Sequence, residues 1–208
     1  MPSTITNLQA LYPLCLPELK GMIPNGSGAV PLLDQYLSTT FRLFCRRTEA
    51  WREIIGPMNI VSGSNIYALP LIYDVWVRRI IWLRDSGWHS VPLSSHSYDL
   101  INTTSGSSVV LKQMPSANYS AALILEVVLM PYMYSQTLSP VFLEKWSEAI
   151  AAGAKANLMA MPDKAWSNPQ MSAYYQSQFD RFVGEARFDN THKNKSGITQ
   201  IQYNQWAV

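Results

Sequence analysis

Between Ser139-Pro140 and Pro162 the chain reads SPVFLEKWSEAIAAGAKANLMAMP, a helix whose second half carries almost no side-chain bulk. Seven of the fifteen residues from Glu148 to Pro162 are alanine or glycine. Alanine favours helix strongly but buries little area, so bulk cannot hold such a helix to a core. What it offers is close approach. Leu143, Trp146, Ile150, Ala154, Leu158 and Met161 form its apolar stripe at spacings of three and four. Ala151, Ala152, Gly153 and Ala156, by contrast, spread round the axis and cannot all face one partner helix. The expectation is therefore tight packing on two sides, one within the subunit and one between subunits, with Trp146 anchoring the stripe.

The partner within the subunit follows directly. Pro162 ends the helix, DKAWSNP makes a turn, and Asn168-Pro169 repeats the cap-and-proline start already present at Ser139-Pro140. Met171, Tyr175, Phe179, Phe182 and Ala186 share one face of the second helix, so bulky aromatics oppose small residues. Residues 132–188 are thus read as an αα-hairpin packing with an N-terminal helix. That N-terminal helical segment, 1–56, begins with short helical turns around 5–11 and 16–22, broken by prolines. It continues as a helix from Pro31 to Ile55, striped by Leu33, Tyr36, Leu37, Thr40, Phe44, Thr48 and Trp51, with Gly56-Pro57 as its stop.

Residues 57–131 read as a β-domain. NIVSGSNIYAL supplies two short strands around a turn, and SSVVLKQM a third. DVWVRRIIWLRDSGWHSVPL reads as a hairpin turning at Asp85-Ser86-Gly87. Strict alternation puts Trp76, Arg78, Ile80, Trp82 and Arg84 on one face of its first arm, and Val75, Val77, Arg79, Ile81 and Leu83 on the other. AALILEVVLMP ends the domain, with Leu123, Leu125, Val127 and Leu129 as a fully apolar face. The fold class is α+β: N-terminal helices, a small antiparallel β-sandwich or barrel-like domain, a C-terminal αα-hairpin and an extended tail. That tail, 189–208, loses the helical stripe and spaces its apolar residues singly at Ile198, Ile201, Tyr203 and Trp206. It reads as an extended arm that docks on a partner.

Charged residues make up 14% of the chain, against about 25% in soluble domains. Seven tryptophans, eleven tyrosines and nine methionines accompany that scarcity, and arginine outnumbers lysine. This is interface composition, and it points to an obligate oligomer. A net charge of +2 with dispersed basic residues leaves no footprint for nucleic acid. Cys15 and Cys45 match no metal spacing and read as free buried thiols. The start of the chain lacks the pattern of a signal peptide, and the longest apolar run, AALILEVVLM, contains Glu126 and is too short to span a bilayer. Synthesis in a cytoplasm and no membrane partner are expected.

Chemistry-bearing motifs do not emerge. His89, His96 and His192 have no cysteine or carboxylate at ligand spacing, and the chain holds no nucleophile elbow, Walker loop or dinucleotide fingerprint. Glu144 and Glu148 lie one turn apart beside Lys145, a solvated face and not an acid–base pair. No enzyme activity, cofactor or metal is expected.

The order of parts is nonetheless familiar. FRLFCRRTEAWRE (41–53), then NIVSGSNIYAL and VRRIIWLRDSG, resembles the head-to-tail adaptor (connector) proteins of tailed bacteriophages, particularly short-tailed ones. In that family an aromatic–Cys–Arg–Arg–Thr–x–x–Trp helix leads into a small β-domain, and Trp51 supplies the tryptophan here. The closing hairpin, with its Gly-Ala-rich helix, Pro-x-x-x-Trp-x-Asn-Pro turn and aromatic second helix, is similar as well. The likeness covers about residues 30–188, and 94–106 departs from it. The resemblance implies a structural virion protein at the neck: a dodecameric homo-oligomeric ring bound below the portal protein. Such a ring extends the channel for genomic DNA, which passes without specific binding, and forms the attachment platform for tail or nozzle proteins. On that reading Ile198, Ile201, Tyr203 and Trp206 form the portal-binding arm. A tail-tube or assembly-chaperone protein and a glycan-binding β-domain are the alternatives.

Overall fold

The computed structural model describes residues 6–19, 29–71, 74–85, 95–103, 106–133, 135 and 137–203. The chain divides into two compact units, Met1–Ala50 with Met133–Val208 and, inserted between them in sequence, Trp51–Tyr132. The class is α+β with antiparallel sheets, as the sequence implies.

In the first unit, β1 (Thr6–Asn7) pairs with β8 (Thr137–Leu138). A 3-10 turn (Leu8–Leu11) and α1 (Tyr12–Cys15) follow β1, so Pro13 sits inside a helical turn where a break was expected. Proline is tolerated there because the first turn of a helix needs no N–H donor. Three longer helices make the core: α2 (Ala29–Thr48), α3 (Pro140–Met159) and α4 (Pro169–Tyr203). Leu33, Leu37, Phe41, Phe44 and Cys45 of α2 are completely buried. Phe41 and Phe44 meet Phe142 at 5.5 and 6.1 Å between ring centroids, and Phe44 also meets Trp146 at 5.3 Å and Phe179 at 6.1 Å.

Gly153 lies where side chains of both α2 and α4 press on α3. A Cβ built on it would stand 2.5 Å from Thr40 Cγ2 of α2 and 2.8 Å from Phe179 Cδ2 of α4. The bareness of α3 is thus used on two sides within one chain. Ala149, Ile150, Ala151, Ala152, Ala154 and Ala156 are all buried there, without a neighbouring subunit.

The caps are partly as expected. Asn168 Oδ1 accepts from the backbone N–H of Met171 at 3.1 Å, closing the start of α4. Ser139 precedes Pro140 at the start of α3 but makes no side-chain cap; its carbonyl takes Leu143 N–H at 2.9 Å.

Among the described residues the second unit holds two three-stranded antiparallel sheets and no closed barrel. β2 (Arg52–Ile60), β7 (Tyr119–Pro131) and β4 (Val75–Asp85) form the first, in the order β2-β7-β4. The second has the order β3 (Ile66–Ala68), β6 (Gly106–Leu111), β5 (Tyr98–Thr103). Leu123, Leu125, Val127 and Leu129 are fully buried, so the apolar face of the central β7 stands as read. Alternation on β6 likewise buries Ser107, Val109 and Leu111.

Several expectations need correction. Helix α2 stops at Thr48, with Glu49 in the left-handed region (φ 52°), and does not continue to Ile55. The unit boundary accordingly falls at Ala50/Trp51 and not at 56/57. Gly56-Pro57, read as a helix stop, lies within β2. The register there slips between Ile55, opposite Leu125, and Met58, opposite Leu123. Gly56 has φ +114°, and a Cβ on it would meet Leu123 O at 2.5 Å, so this bulge requires glycine. The two strands of NIVSGSNIYAL join different sheets. Strict alternation on β4 fails because of two register shifts, Val77/Arg79 and Ile80/Trp82, so Arg78 and Arg79 are both exposed. Val75, Val77 and Leu83 are buried on that strand. The expected hairpin turn at 86–87 and its second arm lie outside the described residues. Strand β5, within the stretch that departs from the family pattern, carried no sequence signal. Finally, the tail is not extended from 189 onward, because α4 runs on to Tyr203. No proline interrupts 170–208, and a helix already nucleated extends without a new nucleation cost.

Helix propensity alone would make Gly153→Ala stabilising by about 1 kcal/mol. The contacts to Thr40 and Phe179 instead predict a loss of about 1–3 kcal/mol, read as a lower denaturant midpoint. Thr40→Ser, which removes Cγ2, should restore part of that loss in the double variant. A raised midpoint for Gly153→Ala alone would contradict the close approach.

Candidate functional site

The side of α3 that carries Glu148, Ala151, Ala152, Lys155 and Met159 is flanked by α1 with the turn after it and by α4. Among the described residues two clefts lie along it. One of about 270 Å³ has Ala151 and Ala152 in its lining, Leu14 on one side and Tyr174 and Phe182 of α4 on the other, with Glu148, Gln178 and Arg181. The second, about 390 Å³, lies toward the interhelical turn between Pro17, Met159, Trp166 and Met171. Glu18 and Tyr175 belong to both. The Nε1 of Trp166 is buried with no hydrogen-bond partner among the described residues.

Lys155 is the one charged residue on the buried part of α3 and is only 8% exposed. Its Nζ lies 3.2 Å from Glu18 Oε1 and 4.0 Å above the centroid of the Tyr175 ring. A buried ammonium needs such compensation, and here the carboxylate comes from the turn after α1 and the π-face from α4. Lys155 therefore ties the N-terminal segment to the hairpin. The sequence signal for it was a lone cation in an Ala-rich run, which spacing alone does not interpret.

A second polar joint closes the end of α2. The last carbonyls of a helix lack intrahelical donors. Here Arg187 Nε donates to Arg47 O at 2.9 Å and Asn190 Nδ2 to Thr48 O at 2.6 Å, both from α4. Arg47 in turn pairs with Asp180 at 2.7 Å, and Gln176 with Arg47 holds that carboxyl below its usual range. Lys145 pairs with Asp189. Residues 189 and 190, assigned from sequence to the free arm, are thus part of the helical unit.

Of the residues singled out from sequence, Trp146, Ala151, Ala152, Gly153 and Ala156 are all buried on α3. Trp51 lies beyond the end of α2. It stands at the start of the second unit, 1% exposed, donating from Nε1 to Glu53 Oε1 at 3.0 Å while its carbonyl accepts Leu129 N–H at 2.9 Å. Burial pushes the Glu53 carboxyl up, and the indole hydrogen bond opposes that shift. The backbone of Ile198, Ile201 and Tyr203 is helical, while Trp206 lies outside the described residues.

Compared with known proteins, the chain matches no family model and no curated sequence.

Among the described residues no three His, Cys, Asp or Glu side chains could share a metal ion, and no helix is long and apolar enough to cross a membrane. What the arrangement offers is surface: two clefts, one of them lined by Ala151 and Ala152, with half-exposed apolar side chains beside it.

Cys15 and Cys45 are both free and fully buried. Burial pushes the Cys15 thiol up to about 12, with Lys155 pulling it down and Glu18 adding to the rise; burial also raises Cys45. Burial and the Asp34 carboxylate, which accepts the Tyr12 hydroxyl, raise Tyr12 as well. An aromatic disulfide reagent should therefore leave both thiols unmodified in the native protein at pH 8 and titrate both in denaturant. The sign of the pH effect follows. The unfolded chain sheds its thiol protons from about pH 8.5, while the folded chain keeps them. The unfolded state thus binds fewer protons, and stability is full below that pH and falls as pH rises from there toward 12. Denaturant midpoints measured from pH 7 to 10 should show that decline.

Proposed function

We propose that this chain is a structural virion protein, a head-to-tail adaptor subunit that assembles as a dodecameric ring below a portal protein. The observation that carries the reading is the small-residue helix α3, packed between the aromatic faces of α2 and α4, with a two-sheet β unit inserted in sequence between α2 and α3. This is the order of parts on which the resemblance to phage adaptors rests. The interface-like composition supports an oligomer, since a chain with 14% charged residues has little else to keep apolar surface out of water. In this reading tail or nozzle proteins attach to the ring, and genomic DNA passes through it without specific contact.

Portal attachment falls in this proposal to the part of α4 beyond Thr191, including Ile198, Ile201 and Tyr203, because Asp189 and Asn190 are already committed to Lys145 and Thr48. A truncation meant to spare the cap on α2 should begin at residue 193.

Electron microscopy of the protein mixed with its portal tests the reading. Full-length chain should decorate portal rings with a closed ring of subunits, and chain truncated from 193 should fold but not attach. Bare portals after mixing with full-length chain would refute the adaptor role. The isolated subunit should also bind short duplex DNA only weakly and in a salt-sensitive way; submicromolar binding at physiological salt would refute an inert channel.

A further inference from the structure

The cleft floored by Ala151 and Ala152 stays open in the single chain, and its chemistry narrows what can fill it. Its volume, about 270 Å³, admits one large side chain. Two apolar rim residues remain partly in water, Leu14 at 40% and Tyr174 at 53% exposure. Its charges cancel, Glu18 and Glu148 against Lys155 and Arg181, so it holds no net attraction for an ion. Lys155, nine-tenths buried at its edge, has Glu18 as its one hydrogen-bond acceptor among the described residues. An ammonium carries three protons, so donors are left over for an incoming oxygen. The fitting occupant is uncharged, with one large aromatic ring and a neighbouring amide oxygen.

The chain itself contains such a segment, Asn204-Gln205-Trp206-Ala207-Val208, with no charge, two side-chain amides and an indole. We infer that residues 204–208 of one copy dock in this cleft of a second copy, Trp206 on the alanine floor beside Tyr174 and an amide oxygen facing Lys155. The chain's own cleft is out of reach. Phe182 lines it, and α4 continues from there to Tyr203, about 30 Å along the axis at 1.5 Å per residue. The segment after Tyr203 spans at most about 18 Å when extended. A tail-to-cleft contact is heterologous, so it repeats head to tail and closes into a ring where the rotation per subunit allows. The inference deepens the ring reading by naming a joint between subunits, and it rests on that reading for closure alone.

The test uses two defective chains and one peptide. A chain lacking 204–208 keeps its cleft, and a Tyr174→Asp chain, altered at an exposed rim residue, keeps its tail. Far-UV circular dichroism of each should match wild type. A peptide of residues 200–208 titrated into the tailless chain should bind saturably. Affinity should fall at least tenfold with Trp206→Ala in the peptide, or with Tyr174→Asp added to the tailless chain. In sedimentation, the tailless chain and the Tyr174→Asp chain should pair with each other. No saturable peptide binding up to millimolar concentration overturns the inference. So does affinity indifferent to Tyr174→Asp. The adaptor reading fails separately, as bare portals with peptide binding intact.

Discussion

Gly153 sets the distance on which the helical unit depends. Its missing Cβ lets Thr40 and Phe179 reach the same point of α3 from two helices, at separations that a methyl group would turn into overlap. Around that point the aromatic rings of Phe41, Phe44, Phe142, Trp146 and Phe179 supply the bulk that α3 lacks. Tight approach and large rings are therefore two halves of one arrangement. The thin helix makes room, and its neighbours fill it.

The β unit solves a different problem. Its two sheets meet at Val77, whose N–H donates to Ser107 Oγ at 3.0 Å and whose carbonyl accepts from Asn102 Nδ2 at 2.9 Å, while Ser107 donates to Asn102 Oδ1. Val77 adjoins the first register shift of β4. Where the ladder with β7 slips, side chains of the second sheet meet the backbone polar groups, so little buried hydrogen-bonding capacity is lost.

What the sequence made legible follows from what periodicity can encode. The hairpin, its Asn168 cap and the apolar face of β7 were readable because a stripe, a cap-and-proline pair and an alternation each have one natural geometry. Gly56-Pro57 was misread because that pair stops a helix and bends a strand equally well, and only the close approach of Leu123 O decides between them. Trp51 was misplaced by a helical spacing that carries through Thr48 and then, by coincidence, one step further. Strand β5 stayed hidden because YDLINT is half exposed, with little alternation to betray it. Lys155, Arg187 and Asn190 act through partners far away in sequence, Glu18 and the end of α2, and no local pattern records such distances.

The closure of α2 by Arg187 and Asn190 reaches back about 140 positions in sequence to Arg47 and Thr48. On a ribosome, α2 therefore emerges without the donors that close the Arg47 and Thr48 carbonyls and waits for them until most of the chain has been made. The inserted unit, Trp51–Tyr132, needs nothing from later residues to complete its sheets. Order of synthesis and order of completion thus part company: the middle of the chain can finish first, and the helix made before it waits for the helix made last.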